Sequence, residues 1–309
     1  MSLTTIVAGA DLSVPSEQAV ERAAALAALH RAKLIIVHAV AEAAPLAHLN
    51  NDVLQQLTEV SAAIQAQVAA MFSERLTALR ARGLDVELIS PIGPPGEQVA
   101  QIAKDQRADL IVVGTHGSTG ISRFLLGSVA TAILRHAPCD VLVCRGGMNS
   151  TPFVHPIAAS DFSPASFRAV RAAANLCPPG VPIEVVHAWQ LPAGSVGATL
   201  FGQSRFPWNT IRDAVLAGVK AQADKFIASQ ADLANPLHVE LIQGPPASAI
   251  THAAERGSHD LIAIGTHGSR GFRRLLLGSV AESTVRHAPC SVLVVHSEHP
   301  ADTAKAKKS

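Results

Sequence analysis

A glycine-rich stretch occurs twice in this chain of 309 residues, about half a chain apart. The first copy, GTHGSTGISRFLLGS, begins at Gly114, and the second copy, GTHGSRGFRRLLLGS, begins at Gly265. Asp11 in VAGADLS and Asp161 in IAASDFS recur at nearly the same offset. Because separate landmarks repeat together, we infer that a whole folding unit has been duplicated.

The two copies are predicted to be domains covering residues 1–146 and 152–298. Between them, the turn-rich run GGMNSTP begins at Gly146 and ends at Pro152. The apolar fraction of the chain is 48%, which is ample for a buried core in each domain.

Short apolar runs alternate with helical patterns in both halves. The predicted strands of the first half are 3–9, 33–40, 84–90, 109–114 and 139–144, and the helices between them are 15–31, about 48–82, 96–107 and 128–136. The second half repeats this order with FVHPIAA, PIEVVHA, HVELIQ, DLIAIG and SVLVVH, and Ser163-Pro164 is a predicted helix start. Near-continuous Val and Ile runs are typical of parallel strands that are buried on both faces. The fold class is therefore α/β, with two tandem doubly wound parallel sheets of five strands each.

Ligands of open α/β sheets bind outside the carboxyl ends of the strands, where the strand order reverses. Asp11 follows the first strand, and Gly114 ends the fourth. If these strands are neighbours, the aspartate and the glycine loop face each other across one crevice. An aspartate before Ser-x-Pro is also common as a turn or capping residue, so both interpretations of Asp11 and Asp161 stay open.

The glycine loop has the features of a phosphate-binding loop. Gly114 and Gly117 remove Cβ atoms after the strand, so that backbone can approach a ligand and use positive φ. Gly127 and Ser128 begin the next helix, whose first N–H groups attract anions. The second copy has the same positions at Gly265, Gly268, Gly278 and Ser279. Arg123 and Arg274 are equivalent, and only the second copy adds Arg270 and Arg273.

Several classes of site are excluded by what the motif lacks. There is no GxxxxGK[ST] loop, no GxGxxG after a first strand, and no ordered catalytic triad. Fast hydrolysis of a bound phosphate would also need a positioned base and metal ligands, which the pattern does not provide. The histidines are scattered without zinc spacing. His116 and His267 lie in the loops, where they support the loop or touch phosphate, whereas His38 and His187 are expected to be satisfied core histidines.

The overall composition limits the classes of partner and the cellular location expected for this protein. A net charge of +1 gives no basic field for nucleic acid, and no apolar run reaches the ~18 residues of a membrane span. Four cysteines without a CxxC pair favour a reducing, cytoplasmic location, and Cys139 and Cys290 are expected to be buried residues at strand starts. Residues 189–208, which hold both tryptophans, have no long counterpart in the first half. They are either a loop that packs on its own domain or a lid or subunit contact.

With these residues in place, the chain resembles the universal stress protein family. The resemblance rests on the G-x2-G-x9-G-S loop, the aspartate after the first strand and the closing HAPC-VLV strand, and it covers nearly the whole chain. It implies strand order 3-2-1-4-5, an adenine nucleotide alpha hydrolase-like fold, and ATP as the ligand, with Mg²⁺ as a candidate companion.

The resemblance also assigns roles to residues by position. It implies that Asp11 and Asp161 meet adenine or ribose, and that Ala39 and Ala188 border the adenine. The implied phosphate-binding positions are Gly114, Gly117, Gly127, Ser128 and Val129 in the first half and Gly265, Gly268, Gly278, Ser279 and Val280 in the second. His116 and His267 are candidate members of the same sites.

The family pairs its domains through antiparallel fifth strands. The resemblance therefore implies an intramolecular pseudo-dimer in which strands 140–144 and 291–295 pair, and further assembly into a homodimer of chains is a hypothesis. The leading functional hypothesis is a non-enzymatic, ATP-binding stress-response protein. The alternatives are a slow ATPase or nucleotidyl-transfer enzyme, and a partner-binding module in which nucleotide is only a structural ligand.

Overall fold

The structure, a computed structural model, describes residues 3–40, 51–115, 126–145, 152–191, 208–266 and 277–296, with backbone alone at 51–59, 61 and 208. The elements of the first half are β1 (Thr5–Gly9), α1 (Val14–His30), β2 (Lys33–Val37), α2 (Asn51–Ala81), β3 (Val86–Ile89), α3 (Pro95–Asp105), β4 (Leu110–Gly114), α4 (Ser128–His136) and β5 (Asp140–Cys144). Those of the second half are β6 (Pro156–Ala159), α5 (Pro164–Leu176), β7 (Ile183–Trp189), α6 (Trp208–Ala228), β8 (Leu237–Gln243), α7 (Pro246–Arg256), β9 (Leu261–Gly265), α8 (Ser279–His287) and β10 (Ser291–Val295). The predicted strands and helices occur in the predicted order.

The strands form one ten-stranded sheet in the order β3-β2-β1-β4-β5-β10-β9-β6-β7-β8. Within each half the neighbours are parallel. Each half thus has the order 3-2-1-4-5, and the predicted fold class is confirmed. The first and fourth strands of each half are neighbours, as the crevice argument required.

The two halves join where β5 and β10 pair in antiparallel orientation. Leu142 lies opposite Leu293 at the centre of this pairing, with one valine pair on each side. The predicted pseudo-dimer is therefore present within the chain. Pairing removes one exposed edge from each five-stranded sheet, and such edges promote aggregation.

Side chains of each strand alternate between two cores, one on each face of the sheet. Ile6 and Ala8 of β1 lie in a cluster with residues of α1, α2, α5 and α6, while Val7 lies in a second cluster with residues of α3, α4, α7 and α8. All three are fully buried. Burying one such Val or Ile side chain stabilises the fold by ~1.5–3 kcal/mol, so the apolar repeat of the sequence is the main source of this architecture.

Serine caps position the helices that follow the first strand of each half. The Ser163 hydroxyl accepts a hydrogen bond from the Ser166 N–H, and the Ser13 hydroxyl accepts one from the Ser16 N–H. The predicted Ser163-Pro164 start is confirmed. Cys139 and Cys290 are buried directly before β5 and β10, as expected. Among the described helices, none has both the length and the apolar character required to span a bilayer.

Candidate functional site

The segments after the first and fourth strands leave the same edge of the sheet in each half. β1 and β4 are parallel neighbours with Ala8 opposite Val112, and β6 and β9 are parallel neighbours with Ala158 opposite Ala263. The aspartate and the glycine loop of each half therefore begin side by side, although they are about a hundred residues apart in sequence.

A cleft of 770 Å³ opens at this edge in the second half. Its volume lies within the ~300–1,000 Å³ range of small-molecule sites. Its wall includes six of the residues singled out from the sequence: Asp161, Ala188, Gly265, Gly278, Ser279 and Val280. The tertiary structure thus brings residues from β7, β9, α8 and the segment after β6 to one place.

Each glycine loop is closed by a hydrogen bond between its two ends. The Gly127 N–H donates to the Thr115 carbonyl at 2.8 Å, and the Gly278 N–H donates to the Thr266 carbonyl at 2.9 Å. Both threonines are buried. The end of the fourth strand is therefore fixed against the start of the following helix. His116, Gly117, His267, Gly268 and the four loop arginines lie outside the described residues.

The helices after the two loops start without a side-chain cap. Gly127 and Gly278 are the N-cap residues, with φ −61° in both and ψ of 154° and 148°. Neither has a side chain that could accept a hydrogen bond from an N–H of the first turn, in contrast to Ser13 and Ser163. The first N–H groups of α4 and α8 therefore lack the usual internal acceptor, and such groups carry the positive end of the helix dipole.

Gly114 does not have the positive φ expected of it, and it has a packing role that the sequence did not predict. A Cβ atom at this position would lie 2.8 Å from the Pro15 carbonyl oxygen and 3.2 Å from the Pro15 Cβ. Gly114 is also not among the described glycines with positive φ. This glycine is needed because the start of α1 packs directly on the end of β4, and not because its backbone adopts an unusual conformation.

Asp11 and Asp161 support the helix caps next to them. Asp11 Oδ1 accepts hydrogen bonds from the Ser13 N–H at 3.0 Å and the Ser13 hydroxyl at 2.5 Å, and Asp161 Oδ1 accepts one from the Ser163 N–H at 3.1 Å. The turn role is therefore present. Asp161 also lines the cleft, so the turn fixes a carboxylate at the site rather than removing it.

His38 and His187, near the end of the second strand of each half, are each fixed by a hydrogen bond between one ring nitrogen and a backbone carbonyl. His38 Nδ1 lies 2.9 Å from the Ala10 carbonyl, and His187 Nδ1 lies 2.8 Å from the Ser160 carbonyl. The His187 ring stacks on Phe162 with centroids 4.3 Å apart. The expectation of satisfied histidines is confirmed for Nδ1. Both rings are half-buried rather than in the core, and His187 lines the cleft.

Sequence reasoning missed the apolar wall of the cleft. Trp189 is the last residue of β7 and is buried, Val215 and Val219 come from α6, and Pro246 and Ile250 come from the first half of α7. In the sequence, the sign that could have pointed to Trp189 was its position at the start of residues 189–208, which have no long counterpart in the first half. Ala39, the first-half equivalent of Ala188, follows β2 and is half-buried.

A polar cluster lies away from the cleft. The carboxyl groups of Glu184 and Glu240, on adjacent strands, share a hydrogen bond. We call them the acid pair. Arg256 Nη2 donates to both Glu240 oxygens at 2.7 and 2.6 Å, and His259 Nε2 lies 3.3 Å from Glu184 Oε2. Burial, followed by the hydrogen bond with Glu240, raises the pKa of Glu184. Across the described residues, no group of three or more His, Cys, Asp or Glu side chains is arranged to hold a metal ion.

Comparison with known proteins agrees with this architecture. The sequence profile of the Universal stress protein family matches residues 3–145 and 157–296. A Staphylococcus epidermidis protein named as a universal stress protein is 34% identical over 146 residues, which are 47% of this chain and 86% of the relative. The crystal structure of a universal stress protein from Archaeoglobus fulgidus DSM 4304 covers 96% of this chain and 97% of its own, with a TM-score of 0.59 and 18% identity, which shows a shared fold.

A universal stress protein crystallised in complex with cAMP is 31% identical to this chain, covering 46% of it and 97% of that protein, with a TM-score of 0.34. The family profile matches far more than half of the chain, in two separate segments that correspond to the two copies of the fold. This chain therefore belongs to the universal stress protein family as a tandem protein that carries the family domain twice.

Proposed function

We propose that each half of this chain binds one adenine nucleotide, with ATP as the main ligand, and that the protein is a non-enzymatic, nucleotide-dependent regulator in the stress response. One observation carries the proposal: six residues singled out for nucleotide binding, from separate segments of the second half, line a single cleft of 770 Å³. By equivalence, the first-half site would be built from Asp11, Ala39, Gly114, His116, Gly117, Gly127, Ser128 and Val129.

The uncapped start of α8 suits the phosphates. The N–H groups of Ser279 and Val280 begin this helix, and the Ser279 hydroxyl is a further donor. The equivalent helix α4 has no acidic residue in its first turn, whereas α8 has Glu282 there, which accepts a hydrogen bond from Arg286 Nη2 at 3.1 Å. Anions are stabilised at such a helix start because unpaired N–H groups and the helix dipole act together.

The opposite end of the cleft suits a base. Ala188, Trp189, Val215 and Val219 give it apolar walls, and Asp161 lies between this end and the glycine loop in strand order. Small-molecule sites combine such walls with a few fixed polar groups. A nucleotide would thus lie along the sheet edge, with its phosphates over β9 and its base over β7.

The described residues supply few ligands for a metal ion at this site. Any bound Mg²⁺ would be held mainly by phosphate oxygens and water, as Mg²⁺ often is with nucleotides, and would shield the phosphate charge. Asp161 and His187 are the titratable side chains of the described cleft wall, and each already accepts or donates a structural hydrogen bond. This supports binding without efficient hydrolysis.

The proposal is tested first by nucleotide content. The purified protein is heat-denatured and the released nucleotides are separated by chromatography, while calorimetry measures binding of ATP, ADP, AMP, cAMP and GTP to nucleotide-free protein. We expect two ATP per chain and a preference for ATP. The absence of both copurified nucleotide and binding on titration would contradict the proposal. Steady production of ADP would favour the ATPase alternative.

Substitution at the helix start tests the assigned geometry. Ser279→Pro removes one phosphate-facing N–H and the hydroxyl, yet Pro is favoured at the first helical position and Gly278 already has the ψ that a residue before Pro prefers. Loss of charge-assisted hydrogen bonds should lower ATP affinity of the second site by about tenfold or more.

Matched variants make this result specific. Ser279→Ala, which keeps the N–H, should have a smaller effect, and Ser128→Pro should weaken only the first site. Equal ATP affinity in Ser279→Pro and wild type would show that the start of α8 does not bind the phosphates.

A further inference from the structure

His187 has one ring nitrogen in a structural role and a second without an assigned role. Nδ1 lies 2.8 Å from the Ser160 carbonyl, which can only accept a hydrogen bond. Nδ1 therefore carries the proton, and in the neutral ring Nε2 is an acceptor. Among the described residues, Nε2 has no hydrogen-bond partner, and the ring lines the cleft.

Rotation of the His187 ring, which would move Nδ1 and Nε2 to other positions, is restricted by its neighbours. It stacks on Phe162 with centroids 4.3 Å apart and an interplanar angle of 14°. Phe162 in turn packs on Phe226 of α6, with centroids 5.4 Å apart. Stacking fixes the plane of the imidazole and the Ser160 carbonyl fixes its rotation, so the acceptor has a set direction.

The position of His187 along the sheet corresponds to the base end of the cleft. β9, which leads to the glycine loop, is separated from β7 by one strand, β6. Neighbouring strands are ~4.8 Å apart, so His187 lies roughly 10 Å along the sheet from the phosphate-binding end. This distance matches the span from the phosphates of a nucleotide to its base.

We propose that His187 is a specificity-determining residue whose Nε2 accepts a hydrogen bond from the exocyclic amino group of the bound base. The inference rests on the proposed nucleotide function. It assigns the second site to amino-bearing bases such as adenine, and it disfavours bases that present a carbonyl oxygen at that position. His38, whose Nδ1 lies 2.9 Å from the Ala10 carbonyl, occupies the equivalent position in the first half.

Trp189 allows the second site to be measured alone. It lines the cleft, and the chain has two tryptophans. In a Trp208→Phe background, Trp189 is the single tryptophan, so its fluorescence reports occupancy of the second site. Titrations with ATP, inosine triphosphate and 2′-deoxy-ATP then compare the amino group with a carbonyl and test the ribose hydroxyl separately.

Two substitutions test the roles of the two ring nitrogens of His187 separately. His187→Asn keeps a donor near the Nδ1 position but loses the Nε2 acceptor, whereas His187→Gln keeps an acceptor near Nε2. We expect wild type to bind ATP about 5- to 10-fold more tightly than inosine triphosphate, which is the usual size of one hydrogen bond. His187→Asn should bring this ratio to within about twofold by weakening ATP alone, and His187→Gln should retain most of it. His38→Asn should leave the Trp189 titration unchanged.

The outcomes distinguish the competing explanations. If His187 only holds Ser160, then the Asn variant will bind both nucleotides like wild type and the Gln variant will weaken both equally. That pattern overturns the proposal, as does a preference that follows the ribose hydroxyl instead of the base. Nucleotide binding with an unchanged ratio in His187→Asn refutes this inference alone, while no binding of any nucleotide by wild type refutes the proposed function as well.

Discussion

At the residue scale, the glycines of the repeated loop have different structural roles. Gly127 and Gly278 begin helices with ordinary φ values, so they leave the first turn uncapped rather than supplying unusual backbone. Gly114 is required because the carbonyl of Pro15 occupies the space of a Cβ atom. One motif therefore contains glycines that begin helices and a glycine that is required for packing.

Replacing Gly114 should therefore affect stability directly. Gly114→Ala places a Cβ 2.8 Å from a backbone oxygen, which cannot move as a side-chain end can. Overpacking of this kind costs about 1–3 kcal/mol in free energy of unfolding, measured by urea denaturation. Gly218→Ala is the control, because nothing lies within 4 Å of its Cβ and alanine should stabilise helix α6 by about 0.5–1 kcal/mol. Equal stability of Gly114→Ala and wild type would contradict the packing role.

At the scale of elements, β7 and β8 differ from their first-half equivalents β2 and β3. Strand register places Glu184 where the first half has Ile35, and Glu240 where it has Ile89. Ile35 is fully buried in an apolar cluster. The second half thus has the acid pair at two positions that are occupied by isoleucines in the first half.

The acid pair should make stability depend on pH. The pKa of Glu184 is raised in the folded protein, mainly by burial, so the folded state holds this proton more tightly than the unfolded chain. The resulting stabilisation is complete below the ordinary glutamate pKa of about 4.3 and is lost as pH rises through the raised pKa of the folded state. The free energy of unfolding should therefore fall over that interval as pH increases.

Substitution isolates the contribution of Glu184. Urea unfolding from about pH 4 to 8 should show a smaller decline in Glu184→Gln than in wild type, and Glu184→Ile should be more stable than wild type at neutral pH. Glu74→Gln, on an exposed part of α2, should keep the wild-type pH profile. Identical profiles for Glu184→Gln and wild type would show that Glu184 does not make stability depend on pH in this way.

At the scale of the whole molecule, the two family domains form one continuous sheet. The contacts that join them include the β5–β10 ladder, a hydrogen-bond contact from His30 Nε2 to the Asn175 carbonyl at 2.9 Å, and Arg145 Nη2, which donates to the Val285 carbonyl at 3.2 Å. Arg145 thus extends from the end of β5 to the last turn of α8. The halves should unfold as a single cooperative unit.

A double-mutant cycle tests this joint in solution. Leu142 and Leu293 lie opposite each other and are buried, so Leu142→Ala and Leu293→Ala should each cost about 2–5 kcal/mol and show a coupling energy of about 0.5–3 kcal/mol. Leu34→Ala with Leu293→Ala is the control pair. β2 and β10 are separated by three strands, so these two changes should add within about 0.3–0.5 kcal/mol. Additive energies for Leu142 and Leu293 would indicate that the two halves do not pair as described.

Much of the fold could be predicted from sequence because its signals are local. Apolar runs that alternate with helical patterns gave the element order, the Ser163-Pro164 pair gave a helix start, and the duplication implied two equivalent sites. Strand order and the joint between β5 and β10 came from the family resemblance. The edges of elements were less certain, since β2 ends at Val37 and not at the predicted residue 40.

The sequence by itself determined that this protein is two copies of one α/β unit, each with an aspartate and a glycine loop after strands of the same sheet. These features depend on periodicity and turn chemistry within short windows. Only the tertiary structure decided that Pro15 packs against Gly114, that α6 supplies Val215 and Val219 to the cleft, and that Glu184 meets Glu240. Such contacts join residues from separate elements, and their geometry is set by how helices pack on a twisted sheet rather than by any local pattern.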